Sequence, residues 1–416
     1  MSGRRPSCVI VGGGPGGMVL AHLLARGGAS VTVLEEHRDF DRDFRGDSLH
    51  PYTLELFEQL GLIDELLALP HHRARFFRFN TPAGAITTAD YGKLPTRFNY
   101  VALLPQARFL DFLAAEVTRS AGSVRTGCRV TDLCHDGAGR VSGVVYRDGA
   151  DKHRLAADLV VATDGRFSKV RRAAGMEAVS LGARTDLLWF RLPKHDSDPP
   201  EAALDLFFDR DHYLALLAGP AGWQIGYSLP KGGYPAARQA GVTPIREFLA
   251  ERIPWLADRV HLLESFSQTT LLSVDIARLR QWWQPGLLLL GDAAHVISPV
   301  GGNGILMAIQ DAVAAANHLA PALREPGPVS NAVLAAVQAE REPAIRAVQA
   351  RQVRTEQRVA TAREKGRPIT PPWLLRLLTA LPGARRRAAD SNAYGPHPPV
   401  LETGWPGRDF CQGDAR

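Results

Sequence analysis

The sequence is poor in cysteine. Only four of its 416 residues are cysteines, and their spacing forms neither a CxxC pair nor a disulfide framework: Cys8, Cys128, Cys134 and Cys411. This scarcity excludes a small secreted domain held by disulfide bonds and favours a reducing compartment. The segment before Cys8 is short and polar, without the apolar core of a secretory signal, so we expect a cytoplasmic protein.

Long apolar runs and dense clusters of charge are also missing. No apolar run approaches the roughly 20 residues that a membrane helix needs, and even the run 287–290 stops at Gly291. The net charge is +6, but apart from Arg385, Arg386 and Arg387 the arginines are largely scattered, and no nucleic-acid-binding module accompanies them. We therefore expect no membrane span and no nucleic-acid partner, and the positive charge favours anionic small ligands.

Glycine is concentrated near the N-terminus. Gly12, Gly14 and Gly17 form a GxGxxG pattern directly after the apolar segment 9–11, at the start of a predicted helix. In this context the glycines allow a tight turn, a pyrophosphate close to the backbone, and close packing of the helix on the strand. The positive end of the helix then faces the phosphates, and Pro15 is a further predicted contact. The pattern predicts a βαβ unit that binds a dinucleotide, and a glycine-rich turn without a ligand is the other interpretation.

An acidic residue completes the dinucleotide pattern. Glu35 ends a second apolar segment about 20 residues after the glycines, where a carboxylate accepts hydrogen bonds from ribose hydroxyls. Because a carboxylate at this position disfavours a 2′-phosphate, we expect FAD or NAD rather than NADP here. The neighbouring Glu36 is the alternative for the same role.

The rest of the chain predicts an α/β fold with a second sheet. Alternating apolar segments between turns fill 182–273, and helical patterns fill 304–320 and 330–365. We expect a Rossmann-like domain with a parallel sheet and helices, a mainly antiparallel substrate-binding sheet, and C-terminal helices. The predicted ranges are 1–75, 105–177 and 276–325 for the Rossmann-like domain, 76–104 and 178–275 for the substrate-binding domain, 326–387 for the C-terminal helices, and 388–416 for an extended tail.

Two further motifs carry a family resemblance. Segment 164–171 reads DGRFSKVR, which we call the DG motif, and segment 291–295 reads GDAAH, which we call the GD motif. Together with the glycine motif they span most of the chain through about residue 320, in the order and rough spacing of a known family. With these motifs the sequence resembles the aromatic-hydroxylase family of FAD-dependent monooxygenases, which includes para-hydroxybenzoate hydroxylase and the ubiquinone-biosynthesis hydroxylases. The resemblance implies FAD as the cofactor and NADH or NADPH as a transient co-substrate.

The resemblance also implies roles for individual residues. It places Asp292 on the ribityl chain of FAD, and a helix N-cap is the alternative role for this aspartate. Arg45 and Gln106 match positions that contact FAD in the family, whereas an exposed side chain without a partner is the ordinary case for both residue types. Asp164 and Gly165 are predicted cofactor contacts, and the aspartate also has a partly structural role, in which Arg171 can pair with it.

Segment 298–304 reads SPVGGNG and looks like the P-x-G-G-x-G loop that lies beside the flavin ring in the family. Glycines let backbone N–H groups approach a ligand, and a helix that begins near Gly304 points its positive end at the anionic edge of a reduced flavin. Many relatives carry Gln at the position of Asn303. We name no certain catalytic residue, and the candidates nearest the flavin are Pro299, Gly301, Gly302 and Asn303.

The histidines are interpreted as structural. We expect His295 to be a hydrogen-bonded residue at a helix start, without an aspartate or serine placed to form a triad. His50, His71 and His72 have no acidic or cysteine partners at metal-ligand spacing, so we predict no metal site.

The predicted reaction follows from the resemblance. A single GxGxxG unit indicates that NAD(P)H binds transiently. The family implies hydroxylation of an aromatic substrate by O2 through a flavin C4a-hydroperoxide. We expect the substrate to be a small-molecule phenol, quinone or polyketide of secondary metabolism. We expect the protein to be a monomer or a homodimer. Alternatives are a related oxidase, reductase or halogenase, although segment 222–226 lacks the WxWxIP pattern, and a non-catalytic FAD-binding protein. Aromatic side chains of the second sheet are the predicted pocket lining: Trp189, Phe207, Tyr213, Trp223 and Tyr227.

Overall fold

The computed structural model describes residues 6–41, 46–81, 84–201, 204–208, 212–220, 222–299, 302–365 and 371–402. The N-terminal βαβ unit forms the centre of a six-stranded sheet. In spatial order its strands are Trp283–Gln284, Leu287–Leu289, Leu159–Ala162, Ser7–Val11, Ser30–Leu34 and Ser123–Arg125. All neighbouring strands run parallel except the first pair.

The six-stranded sheet is covered on both faces. Every residue of the central strand Leu159–Ala162 is buried, as the strands of a doubly covered parallel sheet are. Three helices that pack on one another form one layer: Pro15–Arg26, Gln106–Arg119 and Gly304–Ala322. A three-stranded antiparallel sheet also packs against the central strands, and its strands are Cys128–His135, Val141–Asp148 and Asp151–Ala156.

A seven-stranded sheet forms the second unit. Its spatial order is Thr270–Leu272, Thr185–Leu192, Gly222–Pro230, Tyr213–Gly219, Leu204–Phe208, Phe76–Thr81 and Gly84–Asp90. Neighbours are antiparallel apart from Leu204–Phe208 and Phe76–Thr81, which run parallel. Helix Thr243–Arg252 packs its apolar residues Ile245, Phe248 and Leu249 on one face of this sheet.

The remaining elements connect and flank the two sheets. Two small sheets have the strands Ser48–Leu49, Val101–Leu103 and His72–Ala74, and the strands Val179–Ser180, Ala277–Arg278 and His295–Val296. The other α-helices of the described chain are Pro51–Gln59, Ile63–Leu67, Lys169–Ala173, Tyr234–Ala240, Asn331–Glu364, Pro372–Ala380 and Ala384–Tyr394. Short 3-10 helices lie at Tyr91–Lys93, Pro254–Leu256, Val260–Leu262, Phe266–Gln268 and Gly291–Ala293.

The predicted α/β class, the second sheet and the C-terminal helices are confirmed. The exact domain boundaries stay a proposal, which the membership of 76–90 in the seven-stranded sheet supports. The prediction of an extended tail over 388–416 is wrong in its first part, because helix Ala384–Tyr394 buries Ala389 and Ala393. Its buried face consists of alanines, which give a weak apolar period, and this is why the sequence pattern did not indicate a helix. Leu401 is also buried, and 403–416 lie outside the described residues.

Candidate active site

The three motifs meet at one cavity of about 400 Å³. It lies where the carboxyl ends of the parallel strands face the seven-stranded sheet, which is the usual ligand position in an open α/β sheet. Arg45 and Gly301 lie outside the described residues, so the structure does not place them. The predicted residues that line the cavity are Gly12, Gly14, Pro15, Gly17, Glu35, Glu36, Gln106, Asp164, Gly165, Asp292, Pro299, Gly302, Gly304, Trp189 and Tyr213.

The glycine turn forms a cradle at a helix N-terminus. Gly12 has φ of +104°, and a side chain there would put its Cβ 2.6 Å from the carbonyl oxygen of Thr163. A Cβ at Gly17 would lie 2.3 Å from the carbonyl oxygen of Gly12, so helix and strand touch at this point. A Cβ at Gly14 would meet no atom of the chain within 4 Å, because Gly14 faces the open cavity just before the helix begins at Pro15. Free N–H groups at such an open helix start fit a pyrophosphate.

Backbone hydrogen bonds hold the carboxylate of Glu35 in a fixed position. Its carboxylate is buried and accepts hydrogen bonds from the backbone N–H of Gly13 at 2.7 Å and of His37 at 2.8 Å. His37 Nδ1 also lies 2.7 Å from Glu35 Oε1, and Glu35 lines the cavity, where ribose hydroxyls can reach it. Glu36 instead forms ion pairs with Lys169 at 2.7 Å and Arg129 at 3.3 Å. The geometry therefore favours Glu35 over Glu36 as the ribose contact.

The DG motif supplies a second acceptor. Asp164 Oδ2 accepts hydrogen bonds from the backbone N–H of Lys169 at 2.8 Å and of Val170 at 3.1 Å, and burial raises the pKa of this carboxyl. Its buried Oδ1 accepts no hydrogen bond of standard geometry from the described chain and fits a hydroxyl donor of a bound dinucleotide. Arg171 donates to the carbonyl oxygens of Arg166 at 2.7 Å and of Ala293 at 2.9 Å, which ties the DG motif to the GD motif.

Asp292 sits at the other side of the cradle. It lies in the 3-10 turn Gly291–Ala293, and its carboxylate is 3.9 Å from the guanidinium of Arg166. The N-cap of this turn is Leu290, so the alternative role of Asp292 as a helix cap has no support. The partly exposed carboxylate faces the cavity, as a contact to a ribityl chain requires.

A buried ionic network lies beneath the 3-10 turn Gly291–Ala293, which we call the GD turn. Asp311 of helix Gly304–Ala322 is fully buried, and its Oδ2 accepts from the backbone N–H of Gly291 at 3.0 Å and lies 2.6 Å from His295 Nε2. Its Oδ1 accepts from Arg341 Nε at 2.9 Å. Burial acts to raise the pKa of Asp311, but His295 and Arg341 outweigh it and hold this pKa below its usual range.

This network corrects one expectation and supports another. His295 lies on the strand His295–Val296, not at a helix start, and its acidic partner is Asp311, which the sequence reasoning missed. Because Asp311 holds the GD turn and both residues are buried, a structural role for His295 is favoured over an acid or base role. The available signal was an aspartate in the middle of an apolar helix, since a buried carboxylate requires a partner.

Of the described flavin-loop candidates, Pro299 and Gly302 line the cavity close to the start of helix Gly304–Ala322. Helix Gly304–Ala322 begins directly after Asn303, which is buried and does not line the cavity. His50 was not predicted as a site residue, yet it lines the cavity beside Gly302 with only 3% of its surface exposed. Burial lowers the pKa of His50 from 6.5 to about 4, so the imidazole is neutral at pH 7. Neither ring nitrogen makes a hydrogen bond of standard geometry to the described residues.

The seven-stranded sheet presents one face to the cavity. Trp189 pairs with Gly226, and a Cβ at Gly226 would lie 3.0 Å from the indole, so the glycine makes room for this ring. Tyr213 lies on the same face, with Leu187, Leu206, Ala215 and Leu217 as apolar neighbours along the cavity.

Three predicted aromatic contacts face the other way. Phe207, Trp223 and Tyr227 pair with residues of the opposite face, where the helix Thr243–Arg252 packs, and they do not line the cavity. Their predicted place in the pocket is wrong because side chains alternate between faces along a strand, and the sequence did not show which parity faced inward. Trp223 instead donates from its indole N–H to Asp198 at 2.6 Å.

The strand residues that face the cavity include one polar side chain among these apolar neighbours. Gln224 lines the cavity, and its Nε2 donates to the carboxylate of Asp47. Asp47 also accepts from the backbone N–H of Gln106 at 3.1 Å, and burial raises its pKa. Because the amide NH2 of Gln224 faces Asp47, its amide oxygen points away from this carboxylate. Gln224 therefore offers the cavity a fixed acceptor, which no sequence motif indicated.

The fold and this cavity define an α/β protein with a dinucleotide cradle in the described part of the chain. Residues 5–352 match the family described as "FAD binding domain", and the chain belongs to this family. It is 37% identical over 346 residues to a 6-methylpretetramide 4-monooxygenase of Streptomyces rimosus, with 82% of this chain and 81% of that protein covered. The chain is accordingly an FAD-dependent monooxygenase.

Solved structures share the fold. PqsL of P. aeruginosa, in complex with 2-aminobenzoylacetate, has a TM-score of 0.74 at 22% identity, covering 87% of this chain and 99% of that one. The OxyS anhydrotetracycline hydroxylase of Streptomyces rimosus has a TM-score of 0.72 at 23% identity, covering 94% and 76%. Among the described helices, none combines the length and apolar character needed to cross a bilayer.

Proposed function

We propose that the enzyme uses NADH or NADPH and O2 to hydroxylate an aromatic, polyketide-type phenol or quinone. The observation that carries the proposal is one continuous cavity, which runs from the glycine cradle at Gly14 to the apolar face at Trp189 and Leu217. The 37% identity to a 6-methylpretetramide monooxygenase supports a fused-ring substrate.

The overall reaction is balanced by a nicotinamide co-substrate. NAD(P)H, a proton and O2 react with the substrate C–H to give NAD(P)+, water and the hydroxylated product. FAD, when bound, supplies both the electron transfer from the nicotinamide and the activation of O2. A single GxGxxG cradle supports transient binding of NAD(P)H, because no second cradle of this kind occurs in the sequence. The C4a oxygen-transfer route implied by the family stays a prediction, as do a cytoplasmic location and a monomeric or dimeric state.

The chain's own residues bind and orient the reactants. Glu35, Asp164 and Asp292 offer acceptors to the hydroxyl groups of the dinucleotide, and the helix starts at Pro15 and Gly304 offer N–H groups. Apolar side chains along the seven-stranded sheet exclude water from the reacting carbon, which protects the oxygen transfer from side reactions.

The polar groups of the cavity select a hydroxylated ring. The amide oxygen of Gln224 can accept a hydrogen bond from a phenolic or enolic hydroxyl, while Trp189 and Tyr213 offer ring faces for stacking. The described lining of the substrate half holds no lysine or arginine, so a carboxylate is not the group that it is built to bind. An uncharged phenol therefore fits this half of the cavity better than a benzoate.

Oxygen labelling tests the reaction directly. Fused-ring phenols and quinones are incubated with the yellow holoenzyme, NADH or NADPH, and ¹⁸O2, while NAD(P)H and O2 consumption are recorded together. We expect NAD(P)H oxidation to accelerate with the right substrate and the product to carry one ¹⁸O atom. Unlabelled product with hydrogen peroxide accounting for all O2 consumed would identify an oxidase or a dehydrogenase and would refute the proposal, although the FAD site would stand.

A further inference from the structure

Helix Pro372–Ala380 exposes several of its apolar side chains. Trp373 is 68% exposed, Leu377 58%, Leu378 47% and Leu381, just after the helix, 55%. None of the helix residues is buried, although the helix packs beside the strand Gly84–Asp90 and the helix Ala384–Tyr394. Trp373 and Leu377 are four residues apart and lie on one side of the helix, and Leu381 follows directly after its end. Such an exposed apolar stripe indicates an interaction surface.

Positive charge borders this stripe. Arg376, Arg386 and Arg387 are exposed, and Arg385 donates to the carbonyl oxygen of Thr379 at 3.2 Å, which holds the arginine cluster beside the helix. Segment 371–387 contains four arginines and no acidic residue. We call the exposed residues Trp373, Leu377, Leu378, Leu381, Arg376, Arg386 and Arg387 the basic apolar patch.

We propose that the basic apolar patch docks the enzyme on an anionic phospholipid bilayer. A helix of nine residues is about 14 Å long and too short to span the hydrocarbon core, so it would lie in the plane of the interface. Such interfacial helices carry tryptophan and leucine on one side and basic residues beside them. Their apolar side chains enter the boundary between the lipid headgroups and the acyl chains. The arginines then meet the lipid phosphates, because the negative charge of anionic headgroups attracts basic side chains.

Charge argues against a second copy of the chain as the occupant. In a two-fold symmetric contact the same patch faces itself, so the arginines of both copies would be brought together. The segment offers no acidic residue that could neutralise them. An anionic lipid surface satisfies both the apolar stripe and the charge, whereas a copy of the patch satisfies only the stripe.

Vesicle sedimentation with the full-length holoenzyme tests the proposal. Vesicles of phosphatidylcholine alone are compared with vesicles of equal parts phosphatidylcholine and phosphatidylglycerol, at low and high salt. We expect binding to the anionic vesicles only, weakened by salt. Arg386→Glu combined with Arg387→Glu should lower the partition coefficient at least about 25-fold, since each arginine at the surface contributes about fivefold. Leu377→Glu combined with Leu381→Glu should abolish binding.

Two matched controls separate the patch from general effects. Arg354→Glu with Arg358→Glu makes the same change of net charge at two exposed arginines outside the patch, and Val400→Glu changes another exposed apolar residue, 76% exposed. Both controls should bind as the unchanged protein does. The proposal is overturned if the unchanged protein does not bind anionic vesicles, or if the patch variants bind as well as the controls. It is equally overturned if the protein is a dimer that Leu377→Glu converts to monomers, because a second copy would then cover the patch.

Discussion

Gly14→Val should separate cofactor binding from folding. Gly14 has an ordinary extended backbone, with φ −77° and ψ 176°, and a Cβ there would contact nothing in the chain. A valine side chain would instead fill the space in which a pyrophosphate must approach the N–H groups at the start of the helix Pro15–Arg26. The apoprotein should fold normally and fail to retain FAD.

The expected loss of affinity follows from the hydrogen bonds that are blocked. Each charge-assisted bond from a backbone N–H to a phosphate oxygen contributes about 1.5–3 kcal/mol. Keeping the pyrophosphate from two such groups costs at least about 3 kcal/mol, which weakens FAD binding by roughly a hundredfold or more. The apoprotein itself should lose no more than about 1 kcal/mol, the typical cost of replacing a favourable N-cap residue by an unfavourable one.

Gly17→Val is the matched comparison. Its Cβ would lie 2.3 Å from the carbonyl oxygen of Gly12 and 2.4 Å from Thr163 Oγ1, so the helix must move away from the strand. Overpacking at such a contact costs about 1–3 kcal/mol or more. This variant should therefore unfold at a lower temperature whether or not FAD is added.

Two measurements distinguish the variants. Fluorescence titration of the apoproteins with FAD gives the dissociation constants, and thermal unfolding without FAD gives the stability of each chain. We expect Gly14→Val to lose affinity at an unchanged melting temperature and Gly17→Val to lose stability. The reasoning about the cradle fails if Gly14→Val binds FAD as the unchanged protein does, or if it destabilises the apoprotein as strongly as Gly17→Val.

Four further outcomes follow from the geometry of the cavity. Asp292→Ala should weaken FAD binding by about 1.5–3 kcal/mol in the same titration, with the apoprotein melting temperature unchanged; a lower melting temperature at unchanged affinity would contradict the ribityl role. Asp311→Asn should destabilise the apoprotein by about 3–5 kcal/mol in urea unfolding, since it leaves the guanidinium of Arg341 buried without a counter-charge, and an unchanged midpoint would refute this account. The pKa of His50 is lower in the folded than in the unfolded protein, so the free energy of unfolding of the apoprotein should fall by up to about 3 kcal/mol as the pH falls from 6.5 to about 4. In unfolding experiments across that range, His50→Leu should remove this contribution. Gln224→Leu should raise the KM of a phenolic substrate about tenfold without weakening FAD binding, whereas Gln239→Leu, at an exposed position, should change neither. If Gln224→Leu affects a substrate and its methoxy analogue equally, the hydroxyl contact is contradicted.

The sequence predicts the cofactor half of the site because that half is built from local motifs. Gly12, Gly14 and Gly17 act through the backbone of one turn, and Glu35 follows at a fixed spacing set by one helix and one strand. The order of strands in a βαβ unit is also strongly constrained, so the position of the cradle at the carboxyl edge follows from the pattern. Each of these residues lines the cavity.

The substrate half could not be predicted in the same way. Its residues come from strands that pair over long distances, such as Thr185–Leu192 with Gly222–Pro230. A shift of one residue in the assumed parity exchanges the two faces, and this is the error that placed Trp223 and Tyr227 in the pocket instead of Gln224. Aromatic residues carried no information about parity, since both faces of the sheet bury apolar side chains.

One helix connects the two predicted flavin contacts, and this explains why the network around Asp311 matters to the site. The N-terminus of helix Gly304–Ala322 opens on the cavity, and Asp311, two turns later, holds the backbone N–H of Gly291 directly before Asp292. Arg341 fixes the same carboxylate from the neighbouring helix Asn331–Glu364. Because a packed helix moves as a rigid body, the distance between its N-terminus and the GD turn cannot change without breaking buried ionic bonds. Because burying charged groups costs free energy, the presence of this network is best explained by the precision that it gives to the two predicted cofactor contacts.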